Sequence, residues 1–149
     1  EDLGGIDVGR KALILARLLG WDMNLDEVSI ESLYPPDWDR LSVSEFLAAS
    51  QELDEPFAER VAQAQARGEV LRYVAEVQNH SCQVGLRSVP AHSLLGSMRG
   101  TDNVIQISSM HYQRPLVICG AGAGVEVTAA AVLEDMIELA LLCGKAGAS

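Results

Sequence analysis

The chain is poor in cysteine, and the little it has is unpaired in sequence. Three of its 149 residues are cysteine, Cys82, Cys119 and Cys143, far apart and without a C-x-x-C pair. That spacing excludes a disulfide framework and fits buried thiols in a reducing compartment. The three histidines, His80, His92 and His111, are equally scattered, so no metal-ligating constellation is visible. Basic residues are scarce as well, 11 against 21 acidic ones, for a net charge of −10, and they form no stripe. Nucleic acid and anionic membrane both require a cationic footprint, so neither is an expected partner. Long apolar runs are also lacking. The longest, Val127 to Cys143, is broken by Glu134, Asp135 and Glu138, which excludes a membrane span, and no signal peptide is expected. There is no internal repeat and no linker.

What is present is the makeup of one globular domain. Hydrophobic residues are 48% and charged residues 21% of a chain long enough to build a core. Periodicity predicts a helix over 7–20, ended by Gly20, and a strand over 27–33. The paired prolines make 34–39 a loop. Ser42 or Ser44 caps a short helix through Ala49, and a further helix over 55–67 carries Pro56 in its first turn and ends at Gly68. Alternation over 69–77, a turn at Gln78-Asn79-His80 and a return over 81–89 predict a hairpin. Residues 92–98 are a short excursion, 103–109 and 115–119 two more strands, and 125–143 a long closing helix. The order predicts an α+β fold, with helices on one face of a largely antiparallel sheet.

Two segments carry chemical potential. Asp7 and Lys11 stand four apart on the first helix, acid before base, so they share a face in the favourable order. The apolar stripe Val8, Ala12, Leu15, Ala16 and Leu19, widened by Leu13, Ile14 and Leu18, carries Lys11 close to a buried edge. Burial would move a lysine toward the range useful for proton transfer. An ordinary surface ion pair fits these facts equally. Gly4-Gly5 lets the backbone turn tightly or lets a ligand approach it. The second segment is Gly120-Ala121-Gly122-Ala123-Gly124, between a strand and a helix N-terminus, an arrangement suited to a phosphate or an amide. It is not a dinucleotide fingerprint, because Val125 and Val127 stand where small residues are needed. Glu126 further discourages a phosphate, so a close strand-to-helix packing turn is the plainer reading. Elsewhere Trp21 and Trp38 are expected in the core. Glu134 and Asp135 belong on a solvated face, and Arg72 and Arg87 on the exposed side of the hairpin. His111-Tyr112 at a strand end is read as structural.

In combination these motifs resemble a known family. Asp2-Leu3-x-Gly5-x-Asp7-Val8-x-Arg10-Lys11, continued by Leu13-Ile14-Leu15-Ala16-Arg17, resembles the substrate-site segment of homoserine dehydrogenase. Gly68 to Val74, Asp102-Asn103, Pro115-Leu116-Val117 and Gly120-x-Gly122-Ala123-Gly124-x-x-Val127-Thr128-Ala129 follow in the family's order. The resemblance is closest to the dehydrogenase half of bifunctional aspartokinase–homoserine dehydrogenases. It implies interconversion of L-homoserine and L-aspartate 4-semialdehyde with NADP or NAD, in the cytoplasm or in a plastid. It implies that Lys11 transfers the proton and that Asp7 and Asp2 bind the substrate. Gly122, with Gly120 and Gly124, would lie in the loop over the cofactor. It further implies a homodimer formed through the sheet. On this reading residues 1–119 are the substrate-binding and dimerisation domain. Residues 120–149 are a glycine loop and helix that pack on a nucleotide-binding domain absent from this chain, and an aspartokinase domain can precede it. A further substrate-binding glutamate would lie just before Glu1. The isolated chain is therefore expected to be inactive, and a non-catalytic dimerisation or regulatory module of the same fold is the alternative.

Overall fold

The computed structural model describes residues 2–146, with the side chains of the last two left aside; Glu1 lies outside the described residues. The chain forms two compact units, Glu1–Ser97 and Met98–Ser149.

The first unit begins with α1 (Ile6–Leu18), which is followed by a single 3-10 turn, Leu25–Glu27, and by β1 (Ser29–Ile30). Next come a 3-10 turn at Pro36–Arg40, α2 (Val43–Ala49) and α3 (Asp54–Ala66). The hairpin β2 (Glu69–Gln78) and β3 (Ser81–Pro90) completes the unit. The sheet order is β1-β3-β2, with β1 parallel and β2 antiparallel to β3. Gln78 pairs with Ser81, so the hairpin loop is Asn79-His80, with φ of 52° and 57°. Two consecutive left-handed residues are what a two-residue loop needs to match the strand twist.

One face of the sheet is the core. Cys82, Val84, Tyr73 and Val77 meet Ala12, Leu13 and Ala16 of α1, with Met23 and Val28 beside them. Gly9 allows α1 to lie against Ile30, whose Cδ1 would be 2.5 Å from any added Cβ. The buried stripe of α1 is therefore Gly9, Ala12, Leu13 and Ala16. Leu15 and Leu19, expected within it, are exposed, because a helix laid on a flat sheet buries a narrower arc than its composition offers.

The expected strand over 27–33 shrinks to two residues for local reasons. Before it, Asn24 and Glu27 form a reciprocal capping box that winds the backbone into the 3-10 turn. After it, the Glu31 N–H still donates to Val84, but the Leu33 N–H turns away to Leu3 O. The Glu31 carboxylate instead accepts the Leu86 N–H at 3.1 Å, taking the place of a backbone partner. Pro36 starts a helical turn where a loop is predicted, because proline suits a helix's first position. This turn buries Trp38 against Tyr34 and Phe46. Ser42 caps α2 in a box with Glu45. Trp21 is half-buried and stacks on His80, with ring centroids 4.7 Å apart.

Arg72 and Arg87 face each other across the hairpin, a repulsive pairing unless each finds other partners. Arg72 is not a surface decoration: it donates to the carbonyls of Leu95 and Gly96, at 3.0 and 2.7 Å, and pins the 91–97 segment. Arg87 lies near Glu31 and Glu76.

The second unit holds the antiparallel pair β4 (Asp102–Ile107) and β5 (Leu116–Ala121), then α4 (Val125–Ala146). Residue 119 falls inside β5, so the compact units divide elsewhere than at the 119/120 boundary. Cys119 and Cys143 are exposed, against the expectation of buried thiols, since two strands and one helix offer little cover; Cys82 alone is buried. No helix among the described residues is long and apolar enough to cross a membrane. The α+β class read from the sequence is the one found.

Candidate functional site

The Asp7–Lys11 pair forms. Lys11 Nζ lies 2.7 Å from Asp7 Oδ2, one helical turn apart in the first half of α1. The expectation that Lys11 sits at a buried edge does not hold, since its side chain is 67% exposed and that of Asp7 43%. The reason is the narrow buried stripe. Ala12 faces the sheet and Lys11, one residue earlier, turns about 100° away from it.

Asp2 lies in the turn that enters α1. Its carbonyl accepts the Gly5 N–H at 3.0 Å, and Gly5, at φ 77°, is the helix N-cap. Gly4 and Gly5 are tight because of the protein itself, not because they leave room for a ligand. An added Cβ on Gly5 would overlap the Tyr73 hydroxyl outright and lie 2.9 Å from Ile30, and one on Gly4 would meet the Tyr34 hydroxyl at 3.0 Å. Burial, followed by the charge of Glu31, pushes the Tyr73 phenol above its ordinary range. Tyr73 and Glu31 were missed by sequence reasoning. The one available signal was alternation, which puts Tyr73 on the core face with Leu71, Ala75 and Val77.

The glycine run belongs to the second unit. Gly120 is in β5, paired with Asn103, so the connecting turn starts only at Gly122. The Gly122 N–H donates to Thr101 O at 2.8 Å, and the Asn103 side chain occupies the space where its Cβ would lie. Gly124 O accepts from the backbone N–H and the hydroxyl of Thr128, at 3.0 and 2.9 Å. Glu126 stands in the first turn of α4. His111 and Tyr112 are exposed. Among the described residues no group of three or more acidic, histidine or cysteine side chains could hold a metal.

The arrangement that sequence and structure share is a lysine and an aspartate on one helix face, preceded by a glycine turn with a second aspartate. Residues 1–137 match the family model described as homoserine dehydrogenase. The chain belongs to the homoserine dehydrogenase family. It is similar to the bifunctional aspartokinase/homoserine dehydrogenase 2 of Escherichia coli, 42% identical over 144 residues, which are 95% of this chain and 18% of that protein. It is also similar to the homoserine dehydrogenase of Schizosaccharomyces pombe, 38% identical, covering 93% of this chain and 38% of that one. A solved structure from Candida auris, a protein of unknown function, is 39% identical with a TM-score of 0.82 over 93% of this chain and 40% of its own. This chain thus spans less than half the length of the homoserine dehydrogenases it matches.

Proposed function

We propose that this chain is the substrate-binding and proton-transferring part of a homoserine dehydrogenase, which interconverts L-homoserine and L-aspartate 4-semialdehyde with a nicotinamide cofactor, NADP or NAD. The observation that carries the reading is the 2.7 Å Lys11–Asp7 pair, standing in a segment matched to the family. In the reducing direction, charge builds on the aldehyde oxygen. The Lys11 ammonium stabilises that charge and delivers a proton to the oxygen. In the oxidising direction the same nitrogen receives the hydroxyl proton. Asp7 holds the ammonium in place and orients the substrate. Asp2 offers a carboxylate to the substrate's amino group.

The described residues do not suit a dinucleotide. The β5–turn–α4 element has no second parallel strand, Asn103 covers Gly122, and Glu126 opposes an anion at the helix start. We therefore assign cofactor binding to a nucleotide-binding domain outside this chain, with Gly120, Gly122 and Gly124 contributing at most a closing contact. An aspartokinase domain can precede it, as in the E. coli relative's name. We place the protein in the cytoplasm, or in a plastid if its source is a plant or alga, and infer a homodimer formed through the sheet.

The test is Lys11→Ala in the complete dehydrogenase. Turnover should fall by about 10²–10⁴ while cofactor affinity is kept, the usual loss on removing such a group. Near-normal turnover would take Lys11 out of the mechanism. One observation favours a second reading, a non-catalytic dimerisation or regulatory module: the Lys11 side chain is exposed rather than held in a dry pocket. Clear turnover of this chain alone with homoserine and NADP⁺ would sink that module reading.

A further inference from the structure

Asp2 and Asp7 can serve one small substrate only if the turn between them is fixed. Two backbone bonds tie that turn, Gly5 N–H to Asp2 O and Leu33 N–H to Leu3 O, each at 3.0 Å. One side chain then wedges it from below. Tyr73, in the middle of β2, donates its hydroxyl to the Glu31 carbonyl at 2.6 Å. The same oxygen fills the space beside Gly5 that a Cβ would need, with the ring carbon Cζ 3.0 Å from that point. The anchor is itself held. The Glu31 N–H donates to Val84 O at 2.8 Å, and its carboxylate accepts from the Leu86 N–H and from Arg60, each at 3.1 Å. One phenol thus joins the sheet, the end of β1 and the entry to α1.

We propose that Tyr73 is a positioning residue for the substrate site, holding the turn that carries Asp2 in register with the helix that carries Asp7 and Lys11. This rests on the dehydrogenase reading above. The body of α1 is separately fixed by Ala12, Leu13 and Ala16 on the sheet. Loosening the turn therefore displaces Asp2 more than Lys11, and weakens the grip on the substrate's ammonium more than the proton transfer.

The experiment is steady-state kinetics of the complete dehydrogenase with Tyr73→Phe, alone and combined with Asp2→Asn. The expected result is a rise of about tenfold in KM for homoserine, with kcat and the cofactor KM within about twofold of the parent. In the Asp2→Asn background the same change should raise homoserine KM less than about twofold further, because coupled residues are not additive. An unchanged homoserine KM in Tyr73→Phe overturns the proposal. So do fully additive effects, which would mark Tyr73 as general packing, and an Asp2→Asn variant indistinguishable from the parent. If Tyr73→Phe yields no folded enzyme, Gly5→Ala disturbs the same contact from the other side. A selective rise in homoserine KM is expected there, and equal loss toward both substrates overturns the idea. A parent without turnover on homoserine is a different failure, that of the dehydrogenase reading itself, and the inference falls with it.

Discussion

Replacing Gly5 by alanine probes the geometry under the site most directly. Two costs add. Gly5 has φ 77°, where an L side chain loses roughly 1–2 kcal/mol. The new Cβ also collides with the Tyr73 hydroxyl and lies 2.9 Å from Ile30 Cγ2, an overpacking that typically costs about 1–3 kcal/mol. Together about 2–5 kcal/mol should be lost. Gly20→Ala is the matched control, since Gly20 has φ 84° but nothing within 4 Å of an added Cβ. It incurs the conformational cost alone; the gain of about 0.4–1 kcal/mol from a less flexible unfolded chain is common to both variants and cancels in their difference. The difference between the two variants, about 1–3 kcal/mol, isolates the collision. Urea unfolding followed by tryptophan fluorescence measures it. Both tryptophans, Trp21 and Trp38, lie in the first unit, so the signal reports that unit by itself. Equal losses in the two variants would show that Tyr73 does not press on Gly5, and would refute the contact on which the positioning argument stands.

The Tyr73 phenol is raised above its ordinary 10.0 by burial and then by the charge of Glu31, so its contribution to stability is complete below pH 10 and disappears as pH rises through the folded value. Urea midpoints of the first unit should fall as pH rises above about 10, and fall less in Tyr73→Phe. A residual slope there belongs to Tyr34, whose phenol is raised chiefly by its hydrogen bond to Asp39, and to Cys82, whose thiol is raised by burial; equal slopes in both proteins would contradict the assignment. Sedimentation of the chain should show a dimer at micromolar concentration, and a monomer in both the chain and the complete dehydrogenase would remove the homodimer proposal.

The hairpin was legible because each of its signals is local. Alternation over 69–89 and the two-residue loop at Asn79-His80 do not depend on the rest of the chain. The same holds for the Ser42 cap and for α3, which runs to Ala66 just before Gly68. The failures lie where a distant partner decides. The path of 27–33 turns on a Glu31 carboxylate that accepts an N–H 55 residues away. Arg72 reads as a surface residue until the 91–97 segment is folded over it. The stripe of α1 contains more apolar residues than one sheet face can cover, so composition could not say which would be buried. Of the site, the Asp7–Lys11 pair was legible from a four-residue spacing, whereas Tyr73 reaches Gly5 across 68 positions and leaves no local trace.

The exposure of Lys11 constrains how the pair works. Surface ion pairs of this kind are worth roughly 0.2–1 kcal/mol, too little to matter for a helix whose hold comes from Ala12, Leu13 and Ala16 on the sheet. The pair places an ammonium; it does not stabilise a fold. Its effect on a developing alkoxide depends on the surrounding medium. Two unit charges at about 4 Å interact by about 1 kcal/mol in water and about 4 kcal/mol near a protein surface shielded from it. That difference of about 3 kcal/mol is roughly 10²-fold in rate, the lower end of the loss expected on removing Lys11. If Lys11 transfers the proton as proposed, most of its contribution would arise only with the exposed face of α1 covered and water excluded. A covering domain that brings the nicotinamide would also supply the dry medium that makes Lys11 effective, so the two requirements are met by one event. On the proposed dehydrogenase reading, cover over this face of α1 is therefore what would let the Lys11–Asp7 pair act in proton transfer.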